Sequence, residues 1–340
     1  MILEGKVKST FDWFSERAIE LDSQAAKNGG TLPRHDIWRV EYYKNPYLLL
    51  ESDETILERF ADIFTNGMDL SVEGKITVTP MMEQNGRLSR FFTEIIEETN
   101  WRGILHSGSM PEVMEQLNAY FEDGTPLGVR MFASMPRVQK NCLFKFSKKE
   151  FVEDMYKYGR FRISPASYYS KGSLLRAVKD LETKRHYRLQ AINEAIQGLN
   201  HIEFNGHQFN IVNGVVPIDF IVGDYYLFSS CGELSRRMPT DFEADSVLII
   251  KNKTEFITRL KNRLLIYYPE WEFVEGDVYY FDSYNDLPID RNQEFYKHIS
   301  YSYQKEHRCI VRPRPGNDEN LSPFFIELGA LDDICDVISL

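Results

Sequence analysis

Near the C-terminal end, Gln304, Glu306 and Arg308 alternate with Lys305, His307 and Cys309 in the stretch QKEHRCIV. Successive side chains of an extended chain point to opposite faces, so Gln304, Glu306 and Arg308 would share one face and His307, Cys309 and Val311 the other. A carboxylate fixed on a strand and facing a cleft can accept a sugar hydroxyl and stabilise positive charge developing at a neighbouring carbon. Facing water instead, Glu306 and Arg308 would form a surface ion pair worth under about 1 kcal/mol. His307 reads as a half-buried, satisfied histidine.

A second group lies in FKFSKKEFVEDMYKYGRFRISPASYYSKGS, residues 144–173. Lys145 and Ser147 alternate with Phe144 and Phe146, which predicts a strand with one polar edge. After a helix ending at Gly159, Arg162 and Ser164 share a face, and Tyr168 and Tyr169 follow a turn. An arginine fork suits a diphosphate, and a tyrosine ring can stack on a flat heterocycle or simply pack in a core. Further on, Arg176 and Asp180 have the i,i+4 spacing of a helical ion pair. A third group closes the strand around Tyr226–Phe228, where the hydroxyls of Ser229 and Ser230 could reach a ribose or serve only as turn chemistry. Cys231 follows them, with no histidine nearby in sequence to activate it.

The elements that must position these residues fall into two stretches. Residues 1–130 read as mostly helical: Phe11, Trp13, Phe14, Ala18 and Leu21 recur at helical spacing, and SDETILERFADIFTNG offers Ser52 as a cap and Asn66-Gly67 as a stop. GRLSRFFTEIIEE and SMPEVMEQLNAYFEDG are two more amphipathic helices, the second with Pro111 in its first turn, and KITVTP is a short strand. Around EDGTPLG, residues 122–128, the chain becomes strand-rich, with the runs LGVRMFA, CLFKFS, GRFRIS, IDFIVGDYYLFSS, DSVLIIK, DVYYFDSY, HRCIVRP and FFIELG. IEFNGHQFNIV is a hairpin about Asn205-Gly206. Helices are expected over SKKEFVEDMYKYG, over SKGSLLRAVKDLETKRHYRLQAINEAIQG and over NKTEFITRLKNRLLIYY. The layout is α+β: a helical region, 1–130, then a mixed or antiparallel β domain with flanking helices, 131–340.

Composition narrows the class. With 340 residues, 43% hydrophobic and 14% aromatic, the chain has ample core material. It contains no apolar run long enough for a membrane span, and MILEGKVKSTFDWF lacks the pattern of a secretory signal. Cys142, Cys231, Cys309 and Cys335 lie far apart without a CxxC pair, so no metal site is predicted and a reduced, cytoplasmic setting is expected. Net charge is −11, which argues against a surface given over to phosphate binding. Residues 136–188 nevertheless carry 14 Lys+Arg against 5 Asp+Glu, either a solvated face or one turned toward phosphates.

The order of these pieces resembles the ADP-ribosyltransferase fold, particularly bacterial toxin and antiphage defence members. An early polar residue on a strand, a middle strand with serine and a late Gln/Glu-x-Glu surround NAD in that superfamily. The stretch from Lys297 through Gln304-Lys305-Glu306-His307-Arg308 is also similar to a family of bacterial proteins thought to be related to it. The resemblance covers about residues 140–335 and is silent on the helical half. It implies an enzyme with NAD as substrate: Glu306 at the nicotinamide ribose and the transition state, and Gln304 orienting the acceptor. Ser229 and Ser230 would support the ribose, Tyr168 or Tyr169 would stack near nicotinamide, and Arg162, with Ser164 on its face, would hold diphosphate. Lys145, followed by Ser147, stands where arginine or histidine is usual, so Arg162 could fill that corner instead. The acceptor would be a nucleic acid or a protein. The alternatives are water, in a NAD glycohydrolase, or no turnover at all, in a binding module that meets an antitoxin or other partner protein and no membrane.

Overall fold

The computed structural model describes the chain apart from residues 1–4, 80–85, 107–109, 133–134, 136–140, 171–173, 176, 205, 288–291 and 315–320, and gives only the backbone of 5–7 and 112. The first part is helical, as expected. Helices α1 (Gly5–Lys27), α2 (Arg34–Lys44), α3 (Asp53–Asn66) and α4 (Arg87–Arg102) pack their apolar stripes into one core containing Phe14, Tyr42, Ile56, Phe60, Phe91 and Ile95. Ser52 caps α3 by accepting from the Thr55 amide at 3.2 Å. Strands β1 (Met68–Leu70) and β2 (Ile76–Val78) form a short antiparallel pair. Helices α5 (Pro111–Ala119) and α6 (Leu127–Phe132) follow.

The second part is built on an eight-stranded antiparallel sheet. Its strands are β3 (Leu143–Ser147), β4 (Arg160–Pro165), β9 (Tyr226–Cys231), β10 (Ser246–Ile250), β11 (Glu272–Asp277), β14 (Glu306–Arg312), β15 (Phe324–Glu327) and β16 (Cys335–Ser339). The order is β11-β14-β9-β3-β10-β16, with β4 also on β9 and β15 on β4. One face packs on α7 (Lys149–Tyr158) and α10 (Lys253–Tyr267) through Leu143, Phe161, Phe228, Leu248, Cys309 and Val311. The other carries two separate apolar patches. Phe144, Phe146, Val247 and Ile249 meet α6 and α9 (Met238–Asp241), while Leu227 and Ile310 pack with Tyr225 and Ala166. Between those patches the same face bears Ser229, Glu306 and Arg308.

Smaller pairs flank this sheet. Strand β5 (Lys184–Gln190) pairs with β8 (Val215–Ile221), β6 (His201–Phe204) with β7 (His207–Asn210), and β12 (Tyr279–Phe281) runs parallel to β13 (Tyr296–His298). The α+β class therefore holds, and the hairpin at Gly206 forms as predicted. Two elements differ. LGVRMF is helix α6, and the long helix expected through KRHYRLQ is the strand β5, in which Arg185 and Tyr187 are buried and His186 is exposed. Among the described residues, the short α8 (Ile192–Ile196) is what remains of that helix. Cross-strand pairing with β8 outweighs a weak helical preference there. The first 130 residues are also not separate: Tyr284 and Ile299 belong to the α1–α4 core, and Arg59 of α3 makes a buried ion pair with Asp282 at 2.6 Å.

Candidate functional site

Strand β14 begins at Glu306, two residues after Gln304, where the chain pattern starts its alternation. Gln304 ends a 3-10 turn, Ile299–Gln304, and Lys305 takes a left-handed conformation at φ 47°, ψ 51°. That conformation costs a non-glycine residue about 1–2 kcal/mol. The Lys305 carbonyl accepts from Gly232 N at 2.6 Å, which ties the turn to the end of β9. From Glu306 onward the alternation holds: Glu306, Arg308 and Ile310 face one way, His307, Cys309 and Val311 the other.

Glu306 is buried, as are its two cationic partners Arg308 and Lys297. One carboxylate oxygen accepts from Ser229 Oγ at 2.5 Å and Arg308 Nε at 2.8 Å. The other accepts from Lys297 Nζ at 2.9 Å. The Glu306 amide donates to Tyr280 Oη at 2.7 Å. Burial alone would raise the carboxyl, but the charges of Arg308 and Lys297 and the hydrogen bonds from Arg308 and Ser229 outweigh it and hold Glu306 far below the usual carboxylate range. It is a carboxylate at any physiological pH. Glu306 and Arg308 are thus no surface pair.

The Arg308 guanidinium continues the network. It forks onto Glu182 at 2.6 and 2.8 Å, a bidentate geometry that fixes both planes. Arg185 approaches the same carboxylate at 3.3 Å. Burial raises the Glu182 carboxyl, and the cations Arg308, Lys297 and Arg185 more than reverse that. Asp180, two residues earlier, goes the other way. Burial and the neighbouring Glu182 charge push it up to about 7, and its Oδ2 is buried without a hydrogen-bond partner. Gln304 accepts from Lys297 Nζ at 3.1 Å and donates to the Ala177 carbonyl at 2.7 Å.

A cavity of about 980 Å³ lies beside this network, between α3, α5 and α9 on one side and the 175–188 segment and the 3-10 turn on the other. Glu306 does not line it. Ala177, Asp180 and Tyr303 do, and Gln304 bonds both Ala177 and the Tyr303 hydroxyl. Glu306 therefore sits one side chain behind the cavity wall.

The sequence-predicted site residues divide between the two sheet faces. Register places Ser229 opposite Arg308 and Ser164 opposite Leu227, so Ser164, Ser229, Glu306 and Arg308 share a face. Tyr169 lies over it, hydrogen-bonded to Ser164 and pushed up to about 12 by burial and by the charges of Glu182 and Glu306. Ser230 points to the opposite face, where its hydroxyl reaches the His307 carbonyl at 3.4 Å, so the two serines cannot support one ribose. Lys145 also belongs to that opposite face, opposite Leu248. Its ammonium lies 5.1 Å from the centre of the Phe228 ring and donates to the Ser229 carbonyl at 2.7 Å. Strands β3 and β9 pair only at Phe144 and Cys231; Lys145 fills the position left open where they splay. Burial there lowers its pKa. Ser147 sits opposite Ser246, partly exposed at the end of β3. Arg162 is exposed where β4 has left β9 for β15, and its guanidinium stacks 4.5 Å from the Tyr168 ring.

Cys231, which has no histidine nearby in sequence, is buried, and burial and the Glu306 charge push its thiol up to about 12, as for an inert side chain. Other expectations change. Asp180 lies on no helix, and Arg176 falls outside the described residues. Among the described residues of the basic run, five are engaged within the protein: Lys145 is buried near Glu306, Arg185 is buried on Glu182, Lys157 pairs with Glu153, Lys184 with Asp219 and Arg188 with Glu51. No spacing in the sequence marks Lys297, which bonds Glu306, or Glu182 and Arg185, which extend the network through Arg308. Arg308, two residues on along the same face, was the one partner visible from spacing. Among the described residues no helix is long and apolar enough to cross a membrane and no cluster of His, Cys, Asp and Glu could hold a metal ion. No protein-family model, curated protein or solved structure matches the chain.

Proposed function

We propose that the protein is a NAD-dependent ADP-ribosyltransferase whose reacting carboxylate is Glu306. The observation that carries this reading is the contact between Ser229 Oγ and Glu306 at 2.5 Å. It is the kind of hydroxyl–carboxylate contact a ribose hydroxyl would make, on a carboxylate that Arg308 and Lys297 keep ionised. In the reaction the bond between ribose C1′ and the nicotinamide nitrogen breaks, and its electron pair leaves with nicotinamide. Glu306 stabilises the oxocarbenium-like sugar, and an acceptor nucleophile bonds to C1′ and gives up a proton. The cavity is large enough for a dinucleotide, at the upper end of usual ligand pockets of roughly 300–1,000 Å³. Access to Glu306 from it requires the Gln304–Ala177 hydrogen bond to open. Tyr169 and Ser164 are the remaining groups on this face suited to meet the nicotinamide half. A role for Arg162 at the diphosphate would need NAD to extend to the exposed end of β4.

The acceptor is a macromolecule, nucleic acid or protein, in keeping with a toxin or antiphage effector. Incubation with NAD labelled in its adenylate phosphate, with RNA, DNA and cell protein supplied separately, tests this. Label on one of them is expected. Nicotinamide release with no labelled macromolecule would make the protein a NAD glycohydrolase.

A second reading rests on the saturation of Glu306. Both its oxygens are already taken by internal donors, which suits a structural ion cluster at the centre of an inert binding module. Under that reading the wild-type chain releases no nicotinamide, and substitutions at Glu306 alter stability alone.

A further inference from the structure

Besides the packing of Ile299 in the helical core, one side chain of the helical half bonds the turn that delivers Gln304 and Glu306. Asn66, the last residue of α3, is fully buried. Its Nδ2 donates to the Ser300 carbonyl at 2.7 Å and to the Asp62 carbonyl at 2.7 Å. Its Oδ1 accepts from Ser302 Oγ at 2.8 Å and from the Tyr303 amide at 3.0 Å. A carboxamide has two donor hydrogens and two acceptor lone pairs, and all four are in use. Aspartate would lose both donors, leucine everything, and glutamine would place the group one methylene too far.

The same turn is braced on its other side. The Arg237 guanidinium stacks 4.0 Å from the centre of the Tyr303 ring and donates to the carbonyls of Thr65 and Met68, the residues on either side of Asn66-Gly67. Tyr303 therefore lies between Arg237 and Asn66, three residues before Glu306. The intervening Lys305 is in the left-handed region, a conformation that persists only where surrounding structure over-determines it. None of the Asn66 side-chain bonds described goes to the Glu306, Arg308, Lys297 and Glu182 network, so its influence on that network runs through the backbone of residues 300–305.

We infer that Asn66 is a positioning residue for the Gln304–Glu306 site, by which the N-terminal helical region sets the register of the reacting strand. The part concerning turnover rests on the NAD-cleaving reading above; the mechanical part does not. The test uses the full chain as wild type, Asn66→Ala and Asn66→Asp. Nicotinamide release is measured over a range of NAD concentrations, and deuterium uptake is followed by peptide. Asn66→Ala is expected to lower kcat roughly 10- to 100-fold, as small misplacements of reacting groups do, while KM for NAD stays within about 2-fold. Asn66→Asp, which keeps both acceptor contacts, should fall between. Uptake should rise over residues 299–306 and stay unchanged over α10. A kcat within about 2-fold of wild type, unchanged uptake over 299–306, or a loss of rate that merely tracks the folded fraction would each overturn the inference. Should Asn66→Ala not fold, Ser302→Ala, which removes one of the four bonds, is read in the same way. If the wild type releases no nicotinamide, the NAD reading fails. The uptake arm then decides alone: a local rise keeps Asn66 as the clamp, and no change removes it.

Discussion

At the scale of single residues, Glu306 and Asp180 show how one buried network drives two carboxyls in opposite directions. Glu306 faces two cations and stays ionised; Asp180 sits next to Glu182 with one oxygen unpartnered and is raised to about 7. The signs of their contributions to stability follow. A carboxyl raised on folding stabilises most below its unfolded pKa, and the contribution is lost as pH rises through its folded value. Asp180→Asn should therefore gain stability over wild type progressively between about pH 4 and pH 7 and hold a constant gain above that, as read by chemical denaturation at a series of pH values. A gain independent of pH would contradict the raised carboxyl. Glu182 behaves oppositely, stabilising above its unfolded pKa and losing that contribution in acid. Arg308→Ala strips the counter-charge from both glutamates, and a loss of roughly 3–5 kcal/mol is expected for removing one partner of a buried pair. A loss near zero would mean that the network relaxes into water.

At the scale of elements, what the chain pattern disclosed depended on how local the cause was. The α3 cap at Ser52, the Gly206 hairpin and the alternation along 306–311 follow from neighbouring residues, and each is present. The two mistaken elements were decided by distant contacts. KRHYRLQ became a strand because β8 lies beside it. LGVRMF became helix α6 although its residues suit a strand, and Gly128 explains the fit: a Cβ there would fall 1.8 Å from the Arg236 carbonyl oxygen. Gly128→Ala should cost about 1–3 kcal/mol or more, because backbone rather than a flexible side chain must move; an unchanged Tm would contradict so close an approach. The candidate site was legible in the same graded way. Glu306 and Arg308 declared themselves by spacing, whereas Lys297, Glu182 and Asn66 reach the site from elements that only the tertiary fold brings near. Lys145 and Ser230 were assigned from strand order alone, which does not reveal the sheet face. Register does.

At the scale of the whole molecule, residues of the second stretch complete the helical core, and polar ties join the two regions. Tyr284 and Ile299 complete the α1–α4 core, Arg59 is paired with Asp282, and Arg102 and Arg188 hold the chain around Glu51. A chain beginning at residue 131 should therefore lack a cooperative thermal transition and bind hydrophobic dyes, as expected when large apolar surfaces lose their cover; a sharp transition near the full-length Tm would show the two regions to be independent. The central claim concerns the carboxylate behind the cavity wall. Nicotinamide release from NAD by full-length wild type and by Glu306→Gln, at matched folded fraction, tests it most directly. The account predicts measurable release by wild type and a loss of roughly 100-fold or more in the variant. Equal rates for the two, or no release by the folded wild type, would contradict it.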